Sequence, residues 1–138
     1  MNTAKVTWVD GLQFVAEAGS GHAFVIDGDP KSGGAGTGAR PMELLLLGLA
    51  GCTGMDVAHI LRKQRQTFTG LQVNVQAERA ETHPKVYTKI HVEYVVRGPV
   101  KEAALQKAIR LSEERFCSAS AMLGKTAEIT NSYRIEPE

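Results

Sequence analysis

Residues 40–56 read RPMELLLLGLAGCTGMD and form the longest apolar run in the chain. A proline in the first turn of a helix loses no needed N–H, and an acidic side chain there complements the positive end of the helix dipole. Pro41 and Glu43 therefore predict that a helix begins at Pro41. The basic cluster at 62–65 suits the negative end of the same dipole, so we expect a helix of roughly 36 Å that reaches this cluster.

The first half of this predicted helix is apolar around its whole circumference, which is typical of a helix covered on every side. A compact chain of this length has a radius of gyration of only about 14 Å, so one copy offers little with which to wrap it. Gly48, Gly51 and Gly54 recur every third residue and would let another backbone approach closely. We expect either a buried glycine-containing helix or a dimer in which two such helices pack together. The uncharged run at 44–55 is far shorter than the roughly 20 residues of a membrane span.

Length, charge and cysteine content narrow the classes of protein. A chain of 138 residues fits one domain, and we predict a single domain over residues 1–138. The net charge is +1, with 16 basic and 15 acidic residues, which disfavours nucleic-acid and membrane partners. The N-terminus lacks an apolar signal core, and two cysteines are too few for a secreted disulfide framework. We therefore expect a cytoplasmic protein.

Alternating apolar residues and turn signals predict the remaining elements. Strands clustered in runs with helices between them favour an α+β fold over a repeating βαβ winding. The two long strands in the middle of the chain should pair as an antiparallel hairpin. In chain order we expect strands at 6–9, 12–15 and 23–26, the long helix, strands at 71–77 and 86–96, a helix from 99 to 117, a helical turn at 118–123 and a strand at 126–135.

The connector into the long helix and two of the histidines are weak candidates for a site. Residues 29–39 read DPKSGGAGTGA and lack the lysine-serine/threonine ending of a phosphate-binding loop, so we predict a mobile loop that borders a pocket at most. His83 falls in a loop and His91 on the polar face of a strand. We predict solvent-exposed histidines at both positions, since no second ligand stands at a metal-binding spacing.

The chemistry centres on two cysteines, Cys52 in the long helix and Cys117 at the end of the second helix. A nucleophilic thiol with a second, resolving thiol is sufficient for redox chemistry through a sulfenic acid and then a disulfide. Each cysteine can equally be a small apolar core residue. A reactive thiol needs a nearby positive charge, and Cys52 lies too far along the helix for the dipole to supply it. The candidate cations are His59, Arg40, Arg62 and Arg115.

Short motifs around both cysteines resemble those of the OsmC/Ohr family. They are PMEL at 41–44, then Gly51-Cys52, and FCSAS at 116–120. The resemblance covers essentially the whole chain, including the order of elements. It implies an OsmC-like intertwined homodimer of α+β class, with antiparallel sheets packed around long central helices, and no metal or organic cofactor.

The resemblance also implies a peroxiredoxin-like activity, the thiol-dependent reduction of organic or lipid hydroperoxides. Cys52 would be the peroxidatic thiol that becomes a sulfenic acid, and Cys117 the resolving thiol. The partners would be a small-molecule hydroperoxide and an external dithiol or lipoyl-type reductant. Two alternatives stay open. One is a non-peroxidase member that binds a small apolar or thiol-reactive ligand, and the other is a structural module with buried, inert cysteines.

The first motif departs from that of the family's peroxidases. In those proteins a glutamate directly follows the motif proline and holds an N-terminal arginine over the thiolate. Here Met42 follows Pro41, and Glu43 lies one step later, about 100° around the helix, so Glu43 should point elsewhere. No arginine precedes Arg40. Any activation of Cys52 therefore needs another source.

Overall fold

The computed structural model describes residues 1–138, which divide into two compact units at residues 1–46 and 47–138. The single domain expected over the whole chain stays a prediction. The first unit contains an antiparallel sheet of three strands in sequence order, and Gly11 makes the hairpin turn with a positive φ of 56°. The three predicted strands are confirmed as β1 (Ala4–Asp10), β2 (Gln13–Ala18) and β3 (Ala23–Ile26).

One buried carboxylate organises the glycine-rich connector that follows β3. Asp27 is only 1% exposed, and its two oxygens accept the N–H groups of Gly28, Ala35 and Thr37 together with the Thr37 hydroxyl. A side chain at Gly34 would place its Cβ 2.1 Å from the carbonyl oxygen of Gly28, so the loop can fold over itself only with glycine there. The mobility that the glycine-rich composition of the connector led us to expect stays a prediction. The composition did not reveal that the Asp27 carboxylate binds several groups of this connector.

The long helix α1 (Pro41–Lys63) confirms the helix expected from the apolar run. The Oε1 atom of Glu43 accepts the backbone N–H of Arg40 at 2.8 Å, which satisfies a donor just before the first turn. Glu43 therefore caps the helix, and the Arg40 guanidinium forms an ion pair with Asp29 at 3.4 Å.

Only one stripe of α1 is buried in the single chain. Its members recur every fourth residue, at Leu49, Thr53, Val57 and Leu61. Within the most apolar 18 residues of the helix, only 22% are buried, although the mean hydropathy is 1.7. By length and composition alone such a helix could cross a membrane, but the core helix of a soluble protein passes the same test.

The second unit contains a mixed sheet in the order β4-β5-β6. Strands β4 and β5 form the predicted antiparallel hairpin, but β6 runs parallel to β5, which corrects the expectation of wholly antiparallel sheets. The helical connection after β5 is a crossover that returns the chain to the end of the sheet where β5 began, and a parallel pair needs such a crossover. The bounds are β4 (Gly70–Arg79), β5 (Tyr87–Arg97), α2 (Glu102–Leu111), a π-helical turn (Ser112–Phe116), α3 (Ser118–Leu123) and β6 (Glu128–Glu136).

The core of the second unit lies on one face of β5. Alternate residues of this strand are buried, as the period-two pattern predicted, and Tyr94 among them carries a hydroxyl into the core. His83 lies in the loop before β5, where it was expected. His91 is half-buried rather than exposed, because its ring nitrogens contact the hydroxyls of Thr130 and Ser132 on β6 at 2.7 and 2.8 Å.

Replacing the buried carboxylate should loosen the connector. In Asp27→Asn, an NH2 group takes the place of one acceptor oxygen, so the amides of Gly28, Ala35 and Thr37 should exchange with solvent roughly tenfold faster. Hydrogen exchange followed by NMR or mass spectrometry measures this change. The matched control is the exposed Asp10→Asn, which should leave these amides unchanged.

The same carboxylate predicts a pH dependence of stability. Hydrogen bonds, chiefly from the Thr37 hydroxyl, lower the pKa of Asp27 from 3.8 to about 2. A lowered folded-state pKa stabilises the protein above the unfolded value, and this stabilisation is lost as the pH falls from about 4 to about 2. Over that range, the melting temperature of Asp27→Asn should fall less than that of wild type. An equal fall in both proteins would contradict the assignment.

Candidate active site

The structure brings the two cysteines together beside one carboxylate. The Sγ atoms of Cys52 and Cys117 and an oxygen of Asp56 all lie within 4.8 Å of one another. Both thiols are free. Because a disulfide bond is about 2.05 Å long, the sulfurs need to approach by at most about 3 Å to form one.

Local geometry on two elements creates this cluster. Asp56 follows Cys52 by four residues, so both side chains lie on one face of α1. The second helix was expected to run unbroken to Cys117, but α2 ends at Leu111 and the chain continues as one π-helical turn. The turn closes where the N–H of Cys117 donates to the carbonyl oxygen of Ser112 at 2.7 Å. Turns of this kind are frequent at functional sites.

The two thiols differ in burial. Cys117 is 3% exposed, while Cys52 is half-buried. Burial raises the pKa of the Cys117 thiol, and Cys52 raises it further, although Ser120, whose N–H donates to Cys117 Sγ at 3.3 Å, lowers it. Solvent therefore reaches Cys52 more readily, and Cys117 is held as a neutral thiol beside it.

A buried chain of hydrogen bonds begins at Asp56 and leads away from the sulfurs. Ser112 Oγ donates to Asp56 Oδ2 at 2.9 Å and lies 2.7 Å from Thr53 Oγ1. Thr53 Oγ1 lies 2.8 Å from the Tyr94 hydroxyl, which donates to Glu113 Oε2 at 2.5 Å. Burial, together with Glu113, raises the pKa of Tyr94 above its ordinary value, so this group is a neutral hydroxyl and not a tyrosinate.

The sequence alone assigned no role to any of the five side chains in this hydrogen-bond chain. The i, i+4 spacing from Cys52 could have identified Asp56. Ser112, Tyr94 and Glu113 gave no local signal, because each reaches the site through tertiary packing of distant segments.

A groove reaches the site from the surface of the second unit. It encloses about 610 Å³ and includes Asp56 among its walls. Most of its exposed lining is apolar, and basic side chains join it. The lining includes Ile60, Leu111, Phe116, His59, Lys63 and Lys107.

Two of the candidate arginines are engaged elsewhere. Arg40 pairs with Asp29, and the Arg115 guanidinium lies 5.3 Å from the ring centre of Phe116. Lys63 and His59 line the same groove as Asp56.

The cluster of two thiols and one carboxylate raises the question of a metal ion. This cluster offers three ligands, fewer than the four of a structural zinc site but as many as a catalytic zinc site uses. Its carboxylate already accepts the Ser112 hydroxyl, and the Cys117 sulfur accepts a backbone N–H. We interpret the cluster as a dithiol beside a carboxylate rather than as a metal centre, and the expected absence of a cofactor stays a prediction.

Burial should make Cys117 slow to alkylate. In Cys52→Ser, Cys117 is the only thiol, so its reaction with iodoacetamide reports on it alone. Because burial favours the neutral thiol and only the thiolate reacts, the midpoint of the rate against pH should lie above that of the same variant unfolded in urea. A folded midpoint at or below the unfolded one would contradict the assignment.

Comparisons with known proteins place this fold in a family. The model of the family described as OsmC-like protein matches residues 33–132. Protein YhfA of Escherichia coli (strain K12) is 40% identical over 133 residues, which cover 96% of each chain. The crystal structure of a hypothetical protein from Aquifex aeolicus VF5 is 32% identical with a TM-score of 0.89, covering 100% of this chain and 98% of that one.

The fold also extends to more distant relatives. An organic hydroperoxide resistance protein OsmC from Legionella pneumophila has a TM-score of 0.73 at 16% identity, over 96% of each chain. The resemblance deduced from the two cysteine motifs is thus confirmed by the family model, by a relative in sequence and by the fold. The chain belongs to the OsmC family.

Proposed function

We propose that this protein is a thiol peroxidase that reduces organic or lipid hydroperoxides, with Cys52 as the attacking thiol and Cys117 as the resolving thiol. The observation that carries the proposal is the pair of free sulfurs within 4.8 Å of each other, one half-buried and one buried. Two free thiols at this separation can close a disulfide with little movement.

The redox steps take place on the two thiols, the hydroperoxide and an external reductant. The Cys52 thiolate attacks the hydroperoxide oxygen, the O–O bond breaks, and the leaving alkoxide takes up a proton to become the alcohol. The Cys117 thiolate then attacks the Cys52 sulfenic acid, the S–O bond breaks, and the leaving hydroxide takes up a proton to become water. An external dithiol, of lipoyl or related type, restores both thiols by two exchange steps.

The groove supports an organic substrate over hydrogen peroxide. Its exposed lining is mostly apolar and includes Asp56, an oxygen of which lies within 4.8 Å of both sulfurs. Apolar walls bind a hydrocarbon substituent by removing it from water, which hydrogen peroxide cannot exploit. A Legionella pneumophila protein of the same fold is named for organic hydroperoxide resistance. The reductant and the free thiols suit a cytoplasmic location.

The second candidate function is ligand binding. In this case the protein is a family member that binds a small apolar or thiol-reactive ligand and does not reduce peroxides. It is favoured by the position of Glu43, which caps α1, and by the pairing of Arg40 with Asp29. The glutamate and arginine that the family resemblance places over the thiolate are lost here, and the neighbouring Glu43 and Arg40 have partners of their own. In this case the groove would bind its ligand beside thiols that peroxides do not oxidise.

We also propose that the protein acts as a homodimer through the open face of α1. Leu47 is 61% exposed and Met55 76% exposed, and apart from the adjacent residues and nearby backbone of the helix itself, no atom lies within 4 Å of where a Cβ on Gly48 or Gly51 would stand. Leu47, Gly51 and Met55 recur every fourth residue, and Gly48 lies three residues before Gly51, so the four positions share one apolar face. A second copy of the same helix is the simplest cover for a face with glycines along its centre.

Substitution of the cysteines separates the two functions. Wild type should consume cumene hydroperoxide in the presence of a dithiol, and Cys52→Ser should lose this activity because the attacking sulfur is gone. Cys117→Ser should consume about one equivalent per chain and retain a sulfenic acid that dimedone traps. The control Ser118→Ala, next to Cys117 and exposed, should turn over normally. Full activity in Cys52→Ser would rule out the peroxidase mechanism, and an inactive wild type would favour the ligand-binding function.

A charge on the open face of α1 should break the dimer. Leu47→Glu places a carboxylate where an apolar contact is proposed, so dimer affinity should fall at least about tenfold. Analytical ultracentrifugation measures the shift, and circular dichroism checks the fold. Gln76→Glu, on an exposed position of β4, adds the same charge elsewhere and should leave the dimer intact. A wild type that sediments as a monomer at micromolar concentration would refute the dimer.

A further inference from the structure

When Asp56 and Glu113 are both ionised, the buried hydrogen-bond chain that joins them has one proton fewer than it has hydrogen bonds. It consists of three hydroxyls in a row, those of Ser112, Thr53 and Tyr94, with a carboxylate at each end. Neighbouring oxygens are 2.5 to 2.9 Å apart, so each of the four gaps is a hydrogen bond. All three hydroxyl residues are buried.

Each gap requires one proton, and each hydroxyl supplies one. When both end carboxylates are ionised, three protons serve four gaps, and two buried oxygens face each other without a donor. One additional proton on either end fills every gap. The hydrogen-bond chain can therefore hold one additional proton, which can be transferred along it.

The two ways of placing that proton are related by a simple shift. With the proton on Asp56, every hydroxyl donates toward Glu113; with it on Glu113, every hydroxyl donates toward Asp56. Moving each proton across its own gap converts one arrangement into the other. The net result is the transfer of one proton from one end of the hydrogen-bond chain to the other, while every heavier atom stays in place.

The two ends of the chain lie in different surroundings. Asp56 lies within 4.8 Å of both sulfurs, a distance that one water or a small movement on substrate binding can bridge. Glu113 lines a separate surface cavity of about 300 Å³, where the amide of Asn131 also donates to it at 3.0 Å. The chain thus joins the thiols to solvent by a route outside the groove.

We propose that Asp56, Ser112, Thr53, Tyr94 and Glu113 form a proton relay that exchanges the thiol protons of Cys52 and Cys117 with solvent at Glu113. The proposal rests on the proposed function and adds to it the base that each thiol needs. Asp56 accepts the proton of a thiol as its sulfur becomes the nucleophile, and the relay passes one proton out at Glu113. Solvent returns a proton to the leaving alkoxide in the first step and to the leaving hydroxide in the second.

Tyr94→Phe tests the relay because it removes the central hydroxyl and leaves the ring. The rate of Cys52–Cys117 disulfide formation should fall by at least about tenfold, since positioned proton transfer contributes about 10²- to 10⁴-fold. The lost rate should return as the concentration of imidazole buffer is raised, because a small base can replace the relay. Glu113→Gln, at the surface end, should show the same loss and rescue.

The matched control is Tyr133→Phe. The Tyr133 hydroxyl also donates to a carboxylate, that of Glu102, at 2.5 Å, and it takes no part in the chain. Its loss should leave the rate unchanged and independent of imidazole. A purely structural role for Tyr94 predicts a slower variant that imidazole does not rescue, and this outcome would overturn the relay, as would a wild-type rate in Tyr94→Phe.

Two oxidants separate failure of the relay from failure of the peroxidase. Each variant is oxidised once with cumene hydroperoxide and once with hydroxyethyl disulfide, which closes the same disulfide by exchange without any peroxide. A wild type that reacts only with hydroxyethyl disulfide would refute the peroxidase, and the imidazole dependence measured with that reagent would still decide the relay. If neither reagent closes the pair, no thiol proton is transferred and the relay is refuted as well.

Discussion

The Thr53 hydroxyl, buried between α1, β5 and the π-helical turn, fixes the arrangement on which the site depends. It lies 2.8 Å from the Tyr94 hydroxyl and 2.7 Å from that of Ser112. A buried hydroxyl without partners costs about 1–3 kcal/mol, so rotation of α1 about its axis is strongly penalised. With the rotation fixed, Cys52 and Asp56 must face Cys117, and Leu47 and Met55 must face away from the sheet.

The site combines a thiol buried among apolar groups with one chain of polar side chains, which begins at Asp56. Burial holds Cys117 as a neutral thiol, which protects it from solvent but leaves it in need of a base. An oxygen of Asp56 lies within 4.8 Å of both sulfurs, and the Ser112 hydroxyl donates to this carboxylate. Because Glu43 caps the helix instead of approaching the thiols, the charges around this dithiol differ from those that the family resemblance implies.

Local sequence patterns predicted most of the fold. Pro41 and Glu43 marked the start of α1, and the alternation along β4 and β5 identified the hairpin and its buried face. These features are set by neighbours within one turn or by strands joined through a short loop, so a single stretch of sequence contains them. The two cysteines were found in the same way, through the short motifs around them.

The tertiary structure decided what those patterns did not contain. The parallel pairing of β6 depends on the whole crossover after β5, and the break of α2 into a π-helical turn is what directs Cys117 toward α1. Three of the hydrogen bonds in the buried chain join residues that are separated in the sequence by 41, 59 and 56 positions. The residues next to a short polar side chain do not indicate which distant residue will be its hydrogen-bond partner. The sequence by itself therefore determined the helices and strands, the family motifs and the two thiols. Only tertiary packing could bring the thiols close to Asp56 and connect Asp56 to Glu113. The physical reason is that hydrogen bonds between distant segments form only once the apolar surfaces around them have packed together.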